Sequence, residues 1–169
     1  ALLHNSVNVM TSKREELGIN EYPFFTHREI HKVNRQWHPR RNGRKFELHE
    51  TGGASCTFYD AGHIMGAVSP LFEFSGKKIL YTGDVHFEDQ SILKGADLPS
   101  ERIDVLILEC TRGGASRDPE YTRWSEAEKL ALRMEECLEG KGSVMIPLFA
   151  MGRTQETIMM LHELQRARK

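Results

Sequence analysis

Three residues suited to metal or acid–base chemistry each stand just past an apolar, strand-like run. His63 follows TFYDAG, Asp84 follows KKILYTG, and Glu109 follows DVLIL. Neutral imidazole nitrogen and carboxylate oxygen are the donors a divalent metal takes. Gly62 and Gly66 flank His63 and Gly83 precedes Asp84; glycine lets a backbone turn tightly and lets an ion approach it. The two oxygens of an aspartate can bridge two ions, as a two-metal hydrolase requires to generate a hydroxide and clamp a phosphate. A carboxylate ending an apolar strand, as at Glu109, needs a metal, a cation or a histidine beside it, and it can orient a histidine from behind. Each residue also has a plain reading. His63 can be an ordinary turn residue, and Asp84 can cap a helix beginning at His86–Phe87–Glu88. A strand end followed by a loop is a rigid mount for a side chain, and three such ends in about fifty residues point to one shared edge of one sheet.

The elements that must position these residues follow from periodicity and turn chemistry. Residues 1 to 16 read as a helix, with Ala1, Leu2, Leu3, Val7, Val9 and Met10 as its apolar positions and Gly18 as its end. Thr26 and Glu29 make a capping box for a helix from His27 to near Trp37, where Pro39 restricts the chain. Phe46–His49 and Ser55–Tyr59 read as strands around a Thr51–Gly53 turn. Val68–Phe74 and Lys77–Tyr81 read as a hairpin turning at Ser75–Gly76. Asp104–Leu108 reads as a strand buried on both faces. Asp118 and Pro119 predict the start of a helix carrying Trp124, Ala127, Leu130, Ala131, Met134 and Leu138 on its apolar face, ended by Gly140 and Gly142. Ser143–Leu148 reads as a strand, Gly152 as a turn, and Thr154–Arg166 as an amphipathic helix.

Secondary candidates come with equally simple alternatives. Strand, glycine turn and helix can present backbone N–H groups to a phosphate, here at Gly152 with Arg153 beside it; the same pattern is also a plain β–α unit. His27 and His31 share a helix face as a metal pair or as two solvated side chains. The run RQWHPRRNGRK, Arg35 to Lys45, carries five Lys/Arg, one His and one Trp and no acid. It reads as a phosphate-contacting patch with an aromatic platform, or as a solvated loop.

Composition bounds the rest. The chain has 169 residues, 39% hydrophobic and 28% charged, with formal net charge -1. No global basic field draws it to nucleic acid, so such binding would be local. No apolar run approaches the ~20 residues a membrane helix needs. The start, ALLHNSVNVM, lacks the charged n-region and cleavage site of a signal peptide. Three cysteines, Cys56, Cys110 and Cys137, form neither a disulfide framework nor a CxxC site; reduced thiols and a cytoplasmic setting are expected.

Taken together, the motifs resemble the β-CASP branch of the metallo-β-lactamase fold, a family of RNA-processing nucleases. DAGHIMGA resembles the family's third motif, with His63 as a metal ligand. YTGD resembles its fourth, with Asp84 as the bridging ligand. LILECTRGG resembles β-CASP motif A, with Glu109 as the acid, although Arg112 stands where the family usually has an aromatic residue. IPLFAMGRTQE, Ile146 to Glu156, resembles the opening of the inserted β-CASP domain. The family's HxHxDH signature and two later histidine motifs do not occur in this sequence, so the chain reads as an internal segment of a longer enzyme.

The resemblance implies an α/β fold: part of a metallo-β-lactamase αββα sandwich over residues 1–113, then the start of a β-CASP domain over 114–169. It implies a zinc-dependent hydrolase with two ions in the complete site, in which a metal hydroxide attacks phosphorus of RNA, or of DNA. His63 would bind one zinc and Asp84 would bridge both. Glu109 would position a histidine outside these residues that protonates the leaving oxygen. Gly152 and Arg153 would contact substrate phosphate. A homodimer or a processing-complex partner fits the family, and a membrane does not. With His63 and Asp84 as its two expected metal ligands, the segment alone is expected to bind metal weakly and to show no turnover. Two other readings stand beside this one: a non-catalytic scaffold of an RNA-processing complex, and a small-molecule hydrolase of the same fold.

Overall fold

A computed structural model describes residues 2–49 and 51–168; Ala1, Glu50 and Lys169 lie outside the described residues. The chain forms two compact units, one up to Arg40 and one from Arg41 onward.

The first unit holds α1 (Leu2–Leu17) and α2 (His27–Asn34). Gly18, at φ 66°, ends α1 as expected. Among the described residues, of the apolar positions read from the sequence only Val7 is buried, together with Ile30 of α2, while Leu2, Leu3 and Val9 are exposed. The expected capping box forms at Thr26 and Glu29, the Glu29 carboxylate accepting the Thr26 N–H at 2.6 Å. α2 ends at Asn34, short of Trp37. His27 and His31 share a face, and His4 joins them from α1. His4 Nδ1 lies 2.7 Å from His27 Nδ1, and its ring centroid is 5.2 Å from that of His31. Asn8 Oδ1 is 3.2 Å from His27 Nε2.

The second unit is built on a five-stranded mixed sheet in the order β1-β2-β3-β4-β5. β1 (Phe46–Glu47), β2 (Ser55–Asp60), β3 (Val68–Phe74) and β4 (Lys77–Tyr81) run antiparallel in sequence, and β5 (Val105–Ile107) adds parallel to β4. The β3–β4 hairpin turns on Ser75 and Gly76, both at positive φ (49° and 71°), the signature of the primed two-residue turn that matches strand twist. The centre of the sheet is tight. Cys56 and Leu71 are each 1% exposed and Leu80 is 4% exposed, and Leu71 and Leu80 face one another across the β3–β4 pair. Ser69 is buried but satisfied, its hydroxyl donating to the Thr82 carbonyl at 2.9 Å.

α3 (Arg123–Glu139) and α4 (Arg153–Ala167) pack on each other through Ala127, Ala131 and Leu164. α3 starts later than Asp118–Pro119 predicts. Thr122 caps it and accepts the Ser125 N–H, whereas the Asp118 side chain accepts the Glu120 N–H in a turn ahead of the helix. The outer positions read as its apolar face, Trp124 and Leu138, are exposed.

Two further expectations are corrected. Ser143–Leu148 is not a strand; no described segment pairs with it, and an apolar run without a partner leaves its backbone groups unladdered. Val105, Leu106 and Ile107 are 47–55% exposed rather than buried, because β5 is the edge of the sheet and no described element covers its faces.

Candidate active site

Sheet direction explains why three distant residues meet. β2 and β4 are each antiparallel to β3, so they point the same way, and β5 runs parallel to β4. The C-terminal ends of β2, β4 and β5 therefore lie at one edge. His63, Asp84 and Glu109 leave the sheet there and line one open cleft of about 810 Å³. His63 Nε2 lies 3.7 Å from Asp84 Oδ2.

Each residue is held differently. The His63 loop begins with an Asx turn, the Gly62 N–H donating to Asp60 Oδ1 at 2.9 Å. Gly62 has φ 64°, and a Cβ there would lie within 3.0 Å of Ala96 N, His86 O and Gly95 C; only glycine fits. Asp84 is exposed to the cleft, and the chain after it forms no helix, so the capping reading of Asp84 fails. Glu109 is anchored behind it. Its Oε1 accepts the Val85 N–H at 2.7 Å and its Oε2 accepts the Thr111 hydroxyl at 2.6 Å. Those two donors, with His63 contributing less, hold the Glu109 carboxyl below the usual carboxylate range. Glu109 thus fixes the residue that follows Asp84.

A neighbouring cleft of about 880 Å³ continues from the first and shares Val85, His86, Phe87, Arg112, Arg117 and Arg153 with it. Three guanidinium groups therefore stand along a wall that begins at the carboxylates. Arg117 approaches Glu88 at 3.4 Å, and Arg153 donates to Gln90 Oε1 at 3.0 Å. Arg153 lines both clefts, whereas Gly152 faces Ile64. His86 was not singled out by sequence reasoning, although it stands two residues past Asp84. It is half-buried, and burial, then the nearby Arg153 charge, push its pKa down.

An imidazole nitrogen and a carboxylate oxygen 3.7 Å apart approach the ~3.3 Å that two ligands keep at tetrahedral zinc with bonds of about 2.0–2.1 Å. The pair fits as part of a metal shell. Among the described residues no group of three or more His, Cys, Asp or Glu side chains is arranged to hold an ion. This includes the His4–His27–His31 cluster, where the short Nδ1–Nδ1 contact makes a hydrogen bond between the first two rings. The basic run is partly committed: Lys45 pairs with Glu73 at 2.6 Å, while Trp37 is exposed.

No family model matches the chain. Individual proteins do. It is 37% identical over 114 residues to cleavage and polyadenylation specificity factor subunit 3 of Dictyostelium discoideum, covering 68% of this chain and 14% of that protein. It is 41% identical over 112 residues to an RNase J-like protein of Methanocaldococcus jannaschii, covering 66% of this chain and 26% of that protein. It is 39% identical over 114 residues to endoribonuclease ysh1 of Schizosaccharomyces pombe, covering 68% of this chain and 15% of that protein. The chain belongs to the β-CASP family of metallo-β-lactamase-fold proteins. It spans between 14% and 26% of the length of these curated relatives. His63, Asp84 and Glu109, which meet at this edge, stand in the three sequence stretches that resemble that family, each at a different strand end.

Proposed function

We propose that the protein to which these residues belong is a metal-dependent nuclease that hydrolyses phosphodiester bonds in RNA. The observation that carries this reading is the convergence of His63, Asp84 and Glu109 at one sheet edge, with Arg112, Arg117 and Arg153 along the adjoining wall. The relatives named as endoribonucleases support it. In the proposed complete site His63 would hold one of two zinc ions and Asp84 would hold both. When bound, the metal supplies a water of lowered pKa and positive charge against the developing phosphorane. The remaining work belongs to the chain. Glu109 fixes Val85 and thereby Asp84, and orients a histidine from outside these residues. The arginines meet the phosphates, with the Gly152 turn setting Arg153 at the head of α4. An αββα sandwich over residues 1–113 and a β-CASP insertion from 114 complete the proposed architecture. Three free cysteines support a reducing, cytoplasmic setting.

The test is cleavage of single-stranded RNA by the complete polypeptide carrying these residues, with and without chelator. Wild type should cleave, Asp84→Asn should not, and Glu109→Gln should lose about 10–100-fold, as for the loss of a group that orients a metal ligand. The 169-residue chain alone should bind zinc weakly and turn nothing over; two tightly held zinc ions would overturn that part. A complete polypeptide that binds RNA but does not cleave it would support the second reading, a scaffold, against which the convergence of His63, Asp84 and Glu109 speaks.

A further inference from the structure

The His63 loop does not stand on its own hydrogen bonds. Gln90, in the connection between β4 and β5, reaches back to it. Its side-chain amide donates to the Gly62 carbonyl at 2.5 Å and to the His63 carbonyl at 3.3 Å. Its own carbonyl oxygen accepts from Arg153 Nη1 at 3.0 Å. The network fixes the orientation of the amide: two carbonyls require the NH2 on one side, and a guanidinium requires the oxygen on the other. Gln90 is in turn held in place. Its N–H donates to the Leu93 carbonyl at 2.8 Å, and the next two N–H groups, Ser91 and Ile92, both donate to the Glu156 carboxylate, at 2.7 and 3.1 Å. Arg153 and Glu156 lie one turn apart on α4. That helix also meets the His63 loop directly, because the space a Cβ of Gly152 would need is filled by Ile64.

We propose that Gln90 is a positioning residue for His63, and that Arg153, at the head of α4, acts on His63 through Gln90. The inference deepens the nuclease reading, and rests on it only for what a well-aimed His63 is used for. An amide is the side chain this place needs. Glutamate would keep the shape and pair more strongly with Arg153, but it cannot donate to either carbonyl. Leucine would lose both sides. A sequence-conservative change, glutamine to glutamate, should therefore act as the more informative lesion.

The test uses the metal-free 169-residue chain, so that neither RNA nor zinc enters, and reads amide hydrogen exchange and histidine imidazole resonances by NMR. The reporters are the Gly62 and Ala67 N–H groups, which donate within the loop to Asp60 Oδ1 and the Ile64 carbonyl. Gln90→Glu and Gln90→Leu should each speed their exchange on the order of tenfold, as for one or two lost hydrogen bonds. The paired amides of β2 and β3 should be unchanged. The His63 imidazole resonances should move while those of His31, in the other unit, hold. Arg153→Ala should have a smaller effect, and Arg153→Lys should recover part of it. Unchanged exchange at Gly62 and Ala67 in Gln90→Glu would overturn the proposal. Equal acceleration throughout β2 and β3 would also overturn it, by making Gln90 a general stability contact. An inactive parent enzyme would leave this result untouched, so the two readings fail separately.

Discussion

Replacing Gly62 with alanine tests the site at its tightest point. The residue is at φ 64°, and its added Cβ would come within 3.0 Å of three backbone atoms, Ala96 N, His86 O and Gly95 C. Those atoms have little freedom to retreat. Ala96 N–H donates to His86 O at 2.7 Å, and His86 N–H donates to Ala61 O at 2.9 Å. Two costs add. A left-handed conformation costs an L-residue about 1–2 kcal/mol, and forcing atoms into a packed site costs about 1–3 kcal/mol. Gly62→Ala should therefore destabilise the second unit by about 2–5 kcal/mol. Gly66 supplies the control in the same loop: it is at φ 86° with nothing within 4 Å of a built Cβ, so Gly66→Ala should cost only the conformational part, about 1–2 kcal/mol. Urea unfolding of both variants, with a common slope, measures the difference. If the two substitutions cost the same within about 0.5 kcal/mol, the close approach is not a feature of the folded protein, and the argument that glycine is required at Gly62 for want of space is wrong.

Glu156 is 5% exposed and pairs with Arg123 besides holding Ser91 and Ile92; Glu156→Ala strands two N–H groups and leaves Arg123 with the Ser91 hydroxyl, and should cost about 2–4 kcal/mol by urea unfolding. A loss below about 1 kcal/mol would remove it as the anchor of the loop. Burial pushes the Cys56 thiol up to about 11, while Cys110 is exposed. Iodoacetamide near neutral pH should therefore label Cys110 in the native chain and Cys56 only in denaturant, and equal native labelling would contradict the buried β2. The Glu109 carboxyl is held down chiefly by Thr111 and Val85, so the stability it contributes is present above the ordinary glutamate value of about 4.3 and is lost as pH falls through the lower folded value. The Val85 amide proton should titrate with a midpoint below about 4.3, and a midpoint above it would refute the assigned bond.

What the sequence made legible was what local pattern encodes. β3 and β4 were bounded by alternation and by a Ser75–Gly76 turn whose positive φ values are what that pairing of residues supplies. His63, Asp84 and Glu109 could be picked out because each followed an apolar run, and a strand end is a short-range feature. Burial was harder. The Val105–Ile107 run looks like a core strand because the apolar residues are there, but its exposure depends on which elements lie against it. Ser143–Leu148 failed for the related reason that a strand needs a partner. The supports of the site were not legible at all. Gln90 reaches Gly62 across 28 positions and Ser91 reaches Glu156 across 65, and nothing in a polar loop residue announces such a partner. His4 likewise joined His27 and His31 from another helix, without a shared periodicity.

The strand order also sets a timetable for assembly. β1 to β4 pair each with its neighbour in sequence, so the hairpins that carry His63 and Asp84 close over short stretches of chain. β5 pairs with β4 only after the whole Thr82–Asp104 connection has been looped back, and longer loops close later and at greater entropic cost. Glu109 therefore arrives last. Since it is also the residue that clamps Val85 beside Asp84, the cleft should exist in outline before it is set. Late in folding and early in local opening, there should be a form in which His63 is in place and Asp84 is still unclamped.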